Sequence, residues 1–223
     1  MKKSSILILI IICLVGCKKG SNETTITGEI KGLGTDTLYL YGMDELYDRI
    51  DTIYVENDKF SYTTSVDTIT SAYLLLKNRI EYPVFLDKGN KIKIKGDTIN
   101  LNFLTISGNI YNEEFTDFQK ALEDPADPSE KASEETVDKR ITVEKANTAE
   151  EMAEEFILQH HSSYVSLYLL DKYFVQKETP DFSKIKKLVE VMTGVLQDKP
   201  YIERLNETIT QAEKSEIGKY APF

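Results

Sequence analysis

The chain divides into two halves that differ in the spacing of their apolar residues. Between residues 24 and 107, apolar and polar residues mostly alternate, which is the period of a strand with one buried face. The segment 91–95, Lys-Ile-Lys-Ile-Lys, alternates almost perfectly, so we expect its isoleucines to point inward and its lysines outward. After Gly108 the apolar residues recur at helical spacing. The pattern predicts an α+β protein with its strands first and its helices second.

Seven or eight short strands are expected in the first half, because these segments are rich in Thr, Tyr, Ile and Val. Turn sequences such as Gly-Leu-Gly at 32–34 and Asp-Lys-Gly-Asn at 87–90 separate them. This spacing is typical of an antiparallel β-sandwich or a barrel-like domain. Pro83 lies inside one segment, which favours an edge strand or a bulge there. The segments are residues 24–31, 36–41, 49–55, 59–64, 71–77, 81–86, 91–95 and 99–106.

The second half is predicted to be a C-terminal helical spacer or small bundle. Thr148 and Glu151 form a capping-box sequence, and Thr179-Pro180 reads as a cap followed by proline at the first helical position. Residues 123–145 are charged and weakly periodic, so we expect a linker with one marginal helix. Helices are expected from near Asn112, from Thr148, over 163–174, from Thr179-Pro180 to Leu196, and over 202–212.

The N-terminus has the organisation of an export signal. Lys2 and Lys3 precede an apolar run over 4–15 that is too short to span a membrane, which takes about 20 residues. The run ends in Leu-Val-Gly-Cys at 14–17, which resembles the lipobox of bacterial lipoprotein precursors. In that family the signal is cut before the cysteine, which then carries acyl chains, so the resemblance implies lipidation of Cys17. An ordinary secretory signal, or an uncleaved anchor with Cys17 as a bystander, are the alternatives.

Cysteine content and net charge exclude some kinds of site and partner. Of the two cysteines, Cys13 lies in the signal and Cys17 would carry lipid, so no thiol would remain for a disulfide, a redox pair or a thiolate metal site. Removing Lys2 and Lys3 with the signal changes the formal net charge from −10 to −12. Such an acidic chain repels phosphate backbones, so nucleic acid is not an expected partner.

Three groups of side chains are candidates for chemistry or recognition. His160 and His161 are adjacent on a predicted helix and therefore diverge, which favours packing of His160 over metal binding. Asp44, Glu45 and Asp48 cluster in a predicted loop, where calcium or hydrolytic chemistry competes with a simple solvated loop. Of the thirteen tyrosines, six in the β half are further candidates, which pack within the sheets or form an exposed recognition surface. They are Tyr39, Tyr41, Tyr47, Tyr54, Tyr62 and Tyr73.

The β half also resembles a known family. It opens with Thr-Ile-Thr-Gly-Glu-Ile-Lys-Gly at 25–32 and Thr-Leu-Tyr-Leu-Tyr at 37–41. The segments 51–55, 58–62, 83–90 and 106–109 follow, ahead of Phe115. In this order they resemble a β-rich domain of unknown function, number 4369, that is common in lipoproteins of Bacteroides-like bacteria.

In that family the domain usually precedes a helical spacer and a thioredoxin-like domain of the TlpA or ResA type. Residues 162–170 resemble the spacer, and Gly-Lys-Tyr-Ala-Pro-Phe at 218–223 resembles the start of the thioredoxin-like domain. The family's redox activity depends on a Trp-Cys-x-x-Cys motif. The chain has no tryptophan and no such cysteine pair, so that activity is not carried over.

The expected protein is a lipid-anchored envelope protein that faces the periplasm and acts as a non-catalytic binding or accessory module, without cofactor or metal. One alternative is the N-terminal part of a split or truncated thiol-disulfide oxidoreductase system with a separate thioredoxin-like partner. Another is adhesion or glycan capture through the tyrosines. The expected divisions are a signal at 1–16, a tether at 17–23, a β domain at 24–110, a partly helical charged linker at 111–147, a helical domain at 148–217 and a remnant of a thioredoxin-like start at 218–223.

Overall fold

The computed structural model describes residues 22–42, 45–123 and 149–219. The predicted signal, Cys17, most of the charged linker, the Thr148 cap and residues 220–223 lie outside the described residues. The fold is α+β, as predicted: eight strands form two four-stranded sheets, and helices follow. The strands are β1 (Glu23–Lys31), β2 (Asp36–Gly42), β3 (Ile50–Val55), β4 (Lys59–Ser65), β5 (Thr70–Leu75), β6 (Glu81–Leu86), β7 (Lys91–Asp97) and β8 (Thr105–Ser107).

The two sheets pack face to face as a sandwich. Sheet A has the strand order β4-β1-β7-β8 and sheet B the order β3-β2-β5-β6. Ile26, Ile92 and Ile94 of sheet A are fully buried against residues such as Leu40 and Leu74 of sheet B. One feature departs from the expected antiparallel arrangement, because β1 and β7 run parallel at the centre of sheet A. Between β1 and β7 the chain forms β2 and β3 of sheet B, returns to sheet A as β4, and crosses again to form β5 and β6.

The predicted strand over 99–106 is wrong for most of its length. Only Thr105–Ser107 is a strand, and Ile99 is 92% exposed. The Asp97 carboxylate accepts the backbone N–H of Ile99 at 2.8 Å, and the Asp97 carbonyl accepts that of Asn100. This local turn satisfies the backbone groups that a strand would need. The edge position expected from Pro83 is confirmed, because β6 is an outer strand of sheet B.

One helix, α1 (Ile110–Glu123), closes the seam where the outer strands β6 and β8 of the two sheets meet. The buried Asn112 amide accepts the Phe85 N–H at 3.0 Å and donates to the Phe85 carbonyl at 2.9 Å. One turn later, the Thr116 hydroxyl does the same for the N–H and carbonyl of Ile106. Two polar side chains at i and i+4 therefore supply the hydrogen-bond partners that a further strand would have given to the backbone of β6 and β8.

The remaining helices are α2 (149–159), α3 (Tyr164–Leu170), α4 (Phe182–Val191) and α5 (Pro200–Lys219). The predicted cap at Thr179-Pro180 is wrong, because Asp181 caps α4 by accepting the Lys184 N–H at 3.0 Å. The helix also ends at Val191, before the predicted Leu196. Met192 and Thr193 are extended and end the α-helix, and Gly194, with a left-handed φ of +62°, begins a 3-10 turn.

The helices attach to sheet B through aromatic rings, on its outer face and along its β6 edge. Phe115 of α1 contacts Phe85, Tyr82 and Tyr168, with ring centroids 6.3, 5.7 and 5.2 Å away. Tyr168 of α3 in turn meets Tyr73 of β5. Every residue of α3 is buried, as expected from its all-round apolar sequence. The helical half and the sandwich therefore share one hydrophobic core.

Candidate functional site

The outer face of sheet A is open to solvent and carries a group of lysines. Alternation places the odd-numbered residues of β1, β4 and β7 on this face, while the isoleucines between them point into the core. In the register of the sheet, Lys93 lies beside Thr27, and Glu29 lies between Lys59 and Lys95. The outward and inward directions predicted for residues 91–95 are confirmed. We call the exposed residues Lys31, Lys59, Lys91, Lys93 and Lys95 the lysine face.

The lysine face has the opposite charge to the chain as a whole. Its five ammonium groups share the surface with three carboxylates, which gives the face a formal charge of +2, whereas the chain carries −10. A shallow depression of about 310 Å³ lies in its middle, lined by Thr27, Glu29, Lys59, Lys93 and Lys95 among others. The three carboxylates belong to Glu23, Glu29 and Asp97.

The outer face of sheet B is only half covered by the helices. On the uncovered strands β2 and β3, Tyr39, Ile50 and Tyr54 are 41%, 72% and 73% exposed. Tyr39 pairs with Thr52 and Ile50 with Tyr41, so these side chains lie on one side of the sheet. We call Tyr39, Ile50 and Tyr54 the aromatic strip. Tyrosine side chains are enriched at the centres of protein interfaces.

Most of the six tyrosines pack, and two do not. Tyr47 is buried, and Tyr41, Tyr62 and Tyr73 are half-buried. Tyr41 and Tyr73 lie 5.6 Å apart by ring centroids, and Tyr41 donates a hydrogen bond to Glu81. Packing is thus the correct interpretation for four tyrosines, whereas Tyr39 and Tyr54 form part of an exposed surface. Sequence alternation alone does not say which of the two outer faces a helix covers.

A polar cluster joins the two sheets at the seam opposite α1. Arg49 donates to the Asp51 carboxylate at 3.1 Å and to the Ser65 carbonyl at 3.0 Å, so it links β3 to β4. Its guanidinium also lies 4.7 Å above the ring of Tyr47. The Tyr47 hydroxyl donates to Asp51 and lies 3.1 Å from the hydroxyl of Thr64.

These contacts shift the titration of two members of the cluster. Burial, together with the Asp51 carboxylate, raises the pKa of Tyr47 to about 12. Burial alone would raise the pKa of Asp51, but hydrogen bonds from Tyr47 and Tyr62 and the Arg49 charge outweigh it and hold this pKa below its ordinary value. The sequence pointed instead to nearby Asp44, Glu45 and Asp48. Asp44 lies outside the described residues, Glu45 begins a 3-10 turn, and Asp48 is exposed.

The histidines lie beside a polar cleft of about 480 Å³ between α1 and the turn that precedes α3. His160 stacks on the ring of Phe156 with centroids 4.0 Å apart, and its Nδ1 lies 3.0 Å from the Phe156 carbonyl. The expected packing of His160 is therefore seen. Ser163 caps α3 by accepting the Val165 N–H, and it donates to Glu114 of α1 at 2.5 Å. The described residues hold no group of three or more His, Cys, Asp and Glu side chains arranged to bind a metal ion.

A second buried carboxylate holds the helices together. Asp171, in the π-helical turn after α3, accepts hydrogen bonds from Tyr201 and Gln176, each at 2.5 Å. Burial and the charge of Asp171 raise the pKa of Tyr201. The carboxylate therefore connects α3 to the first turn of α5. Nothing in the sequence marked this residue, because its role depends on a contact between positions 30 residues apart.

The architecture defines the class of protein: a two-sheet β-sandwich domain whose second sheet carries a helical extension. The family model described as "Domain of unknown function (DUF4369)" matches residues 24–115, so this part of the chain is a domain of that family. The matched region begins in β1 and ends inside α1, and so it includes the helix that closes the seam. No curated protein and no solved structure matches the chain. None of the described helices is both long and apolar enough to cross a membrane.

Proposed function

We propose that the chain is a lipid-anchored protein of the bacterial cell envelope that faces the periplasm and acts as a non-catalytic binding or accessory module. The aromatic strip is the observation that carries the binding role. The chain covers one half of the outer face of sheet B with its own helices and leaves Tyr39, Ile50 and Tyr54 exposed on the other half. A protein partner is the ligand that suits such a surface.

The polar groups of the described residues support an accessory role over a catalytic one, because their contacts hold elements together. Asp51 and Arg49 join β3 to β4, and Asp171 joins α3 to α5. Ser163 beside the histidines is used as a helix cap and as a link to Glu114. Each of these side chains performs a structural task that the fold needs.

The lipid anchor is tested by replacing each of the two cysteines in turn. Metabolic labelling with a fatty-acid analogue should label the wild-type chain and the Cys13→Ser variant equally. The Cys17→Ser variant should lose the label and leave the membrane fraction, since acyl chains provide about 0.8 kcal/mol of membrane affinity for each buried methylene. Equal labelling of the Cys17→Ser variant would contradict the proposal.

The binding role is tested by a photo-crosslinking residue placed at Tyr54 in the native envelope, with Thr63 on the outer face of sheet A as the matched control. A discrete adduct is expected from position 54 and not from position 63. It should disappear when Tyr39 and Ile50 are both replaced by serine. If positions 54 and 63 give the same products, the aromatic strip has no specific partner.

A second candidate function has a specific partner. In it, a separate thioredoxin-like protein and this chain together form a thiol-disulfide oxidoreductase system. It is favoured by the resemblance of residues 162–170 to the spacer that precedes thioredoxin-like domains, in a chain whose residues 24–115 match the family model. Calorimetric titration with a thioredoxin-like protein of the same envelope should show binding by the wild-type chain that Tyr54→Ser weakens. Absence of heat with the wild-type chain would exclude this partner and leave the accessory role in place.

A further inference from the structure

We propose that the lysine face lies flat against the anionic headgroups of the membrane that holds the lipid anchor. The proposal extends the proposed function, from which it takes only the anchor at Cys17. The protein would then have a defined orientation, with sheet A towards the bilayer and the helices away from it.

Several lysines of the helical half form ion pairs, whereas those of the lysine face do not within the described residues. On the helices, Lys184 pairs with Glu154 at 2.8 Å, Lys186 with Glu213 at 2.7 Å and Lys120 with Asp117 at 2.8 Å. Within the described part of the chain, none of the five lysines of the lysine face lies within 4.0 Å of a carboxylate oxygen. Among the described residues their charge is therefore not neutralised by an ion pair, and it is available to an external anion.

The arrangement of these charges fits an extended surface better than a small ligand. Lys91, Lys93 and Lys95 stand in a row along β7, about 7 Å apart because alternate residues share a face. Lys59 and Lys31 flank the row on β4 and β1. The depression among them is shallow, so it would leave much of a small ligand exposed. A plane of phosphate headgroups can meet all five ammonium groups together, and each lysine near such a surface strengthens binding.

The charge of the rest of the molecule selects one orientation. With +2 on this face and −10 on the whole chain, the remaining surface is strongly acidic and is repelled by an anionic membrane. An approach with sheet A first presents the positive lysine face to the membrane. The opposite side of the sandwich carries the helices and the aromatic strip, so this orientation leaves both free for a partner.

The position of the anchor agrees with this orientation. Strand β1 begins at Glu23, six residues after Cys17, and a chain of that length reaches at most about 20 Å. Thr25, near the start of β1, pairs with Lys91, so the tether emerges at the end of the lysine face where the row on β7 begins. A sandwich tethered this closely stays within reach of the bilayer, and the lysine face is the adjacent surface with the complementary charge.

The test uses the mature chain from Lys18 onward, without lipid, and vesicles of phosphatidylcholine with or without an equal part of phosphatidylglycerol. Co-sedimentation should show binding at least about 10-fold tighter to the anionic vesicles, and raising the salt from about 0.05 to about 0.5 M should abolish the difference. A variant with Lys91→Glu, Lys93→Glu and Lys95→Glu should lose about 100-fold in affinity for the anionic vesicles.

The matched control carries the same charge change on the helices, as Lys120→Glu, Lys187→Glu and Lys214→Glu. It should stay within about 3-fold of the wild-type affinity, and circular dichroism should show both variants folded. Equal losses in the two variants would overturn the proposal, because net charge rather than the lysine face would explain binding. The proposal would also be overturned if the wild-type chain did not bind anionic vesicles, or if it bound an anionic polysaccharide but not the vesicles.

Because the chain in this test lacks Cys17, the two proposals fail separately. Loss of vesicle binding would leave the acyl anchor unaffected, and a Cys17 that takes no lipid label would leave the vesicle result valid.

Discussion

The outer faces of the two sheets differ, and the difference is visible in one strand of each. In β7, lysines point outward and isoleucines inward, so only one face of the strand is apolar. In β6, the five residues from Tyr82 to Leu86 are all buried, so both faces are apolar. Sheet A is accordingly open on its outer side, whereas α1 and α3 cover the side of sheet B that contains β6. A strand without alternation thus marks where the helices pack.

The largest expected effect comes from removing the ring that joins sheet B to the helices. Phe115→Ala should lower the free energy of unfolding by about 3–5 kcal/mol, because the cavity would lie among Tyr82, Phe85 and Tyr168. Urea unfolding followed by circular dichroism measures the change. Leu158→Ala, at a side chain that is 46% exposed on α2, is the control and should cost less than about 1 kcal/mol. Similar losses in both variants would contradict a shared core.

The next effect tests the edge of the covered sheet. Asn112→Ala should cost about 1–3 kcal/mol, since it leaves the buried N–H of Phe85 without an acceptor. The Phe85 carbonyl would keep a donor in Asn109, so the N–H dominates the loss. Asn102→Ala, at an exposed asparagine before β8, is the control and should be close to neutral. A neutral Asn112→Ala would show that α1 does not complete sheet B through this contact.

The comparison also shows what the sequence could predict. Most strand positions, the edge role of Pro83 and the direction of the 91–95 side chains followed from local pattern, because a period of two is preserved wherever one face is buried. The helix ends were harder, since Thr179 and Asp181 are both good caps and only the folded chain shows that Asp181 bonds to Lys184.

Contacts between distant residues could not be predicted at all. Asn112 looked like the ordinary start of a helix, and its hydrogen bonds to Phe85 depend on how α1 meets an edge strand. Lys91, Lys93 and Lys95 of the lysine face were identified as outward-facing from alternation. Their grouping with Lys59 and Lys31 required the strand order, including the parallel pair of β1 and β7.

A smaller effect on stability is expected from Asp51, which lies at the seam of the sandwich that α1 does not close. The pKa of Asp51 is lower in the folded than in the unfolded chain, so the carboxylate stabilises the fold fully above about pH 5. This contribution is lost as the pH falls through the lowered pKa. Asp51→Asn should therefore be less stable than wild type at pH 7, and the difference should shrink below about pH 4. Urea unfolding at several pH values measures it, with Asp48→Asn, at an exposed carboxylate, as the control.

The smallest effect on stability belongs to the open face. Replacing Lys91, Lys93 and Lys95 together by glutamine should change the free energy of unfolding by no more than about 0.5 kcal/mol, because these exposed side chains make no ion pair among the described residues. Urea unfolding again measures the change, and Phe115→Ala provides the contrast on the covered face. If the glutamine variant lost more than about 1.5 kcal/mol, the lysines would be part of the fold. If the glutamine variant stayed stable but lost affinity for anionic vesicles, the three lysines would serve membrane binding, since the sandwich folds without their charge.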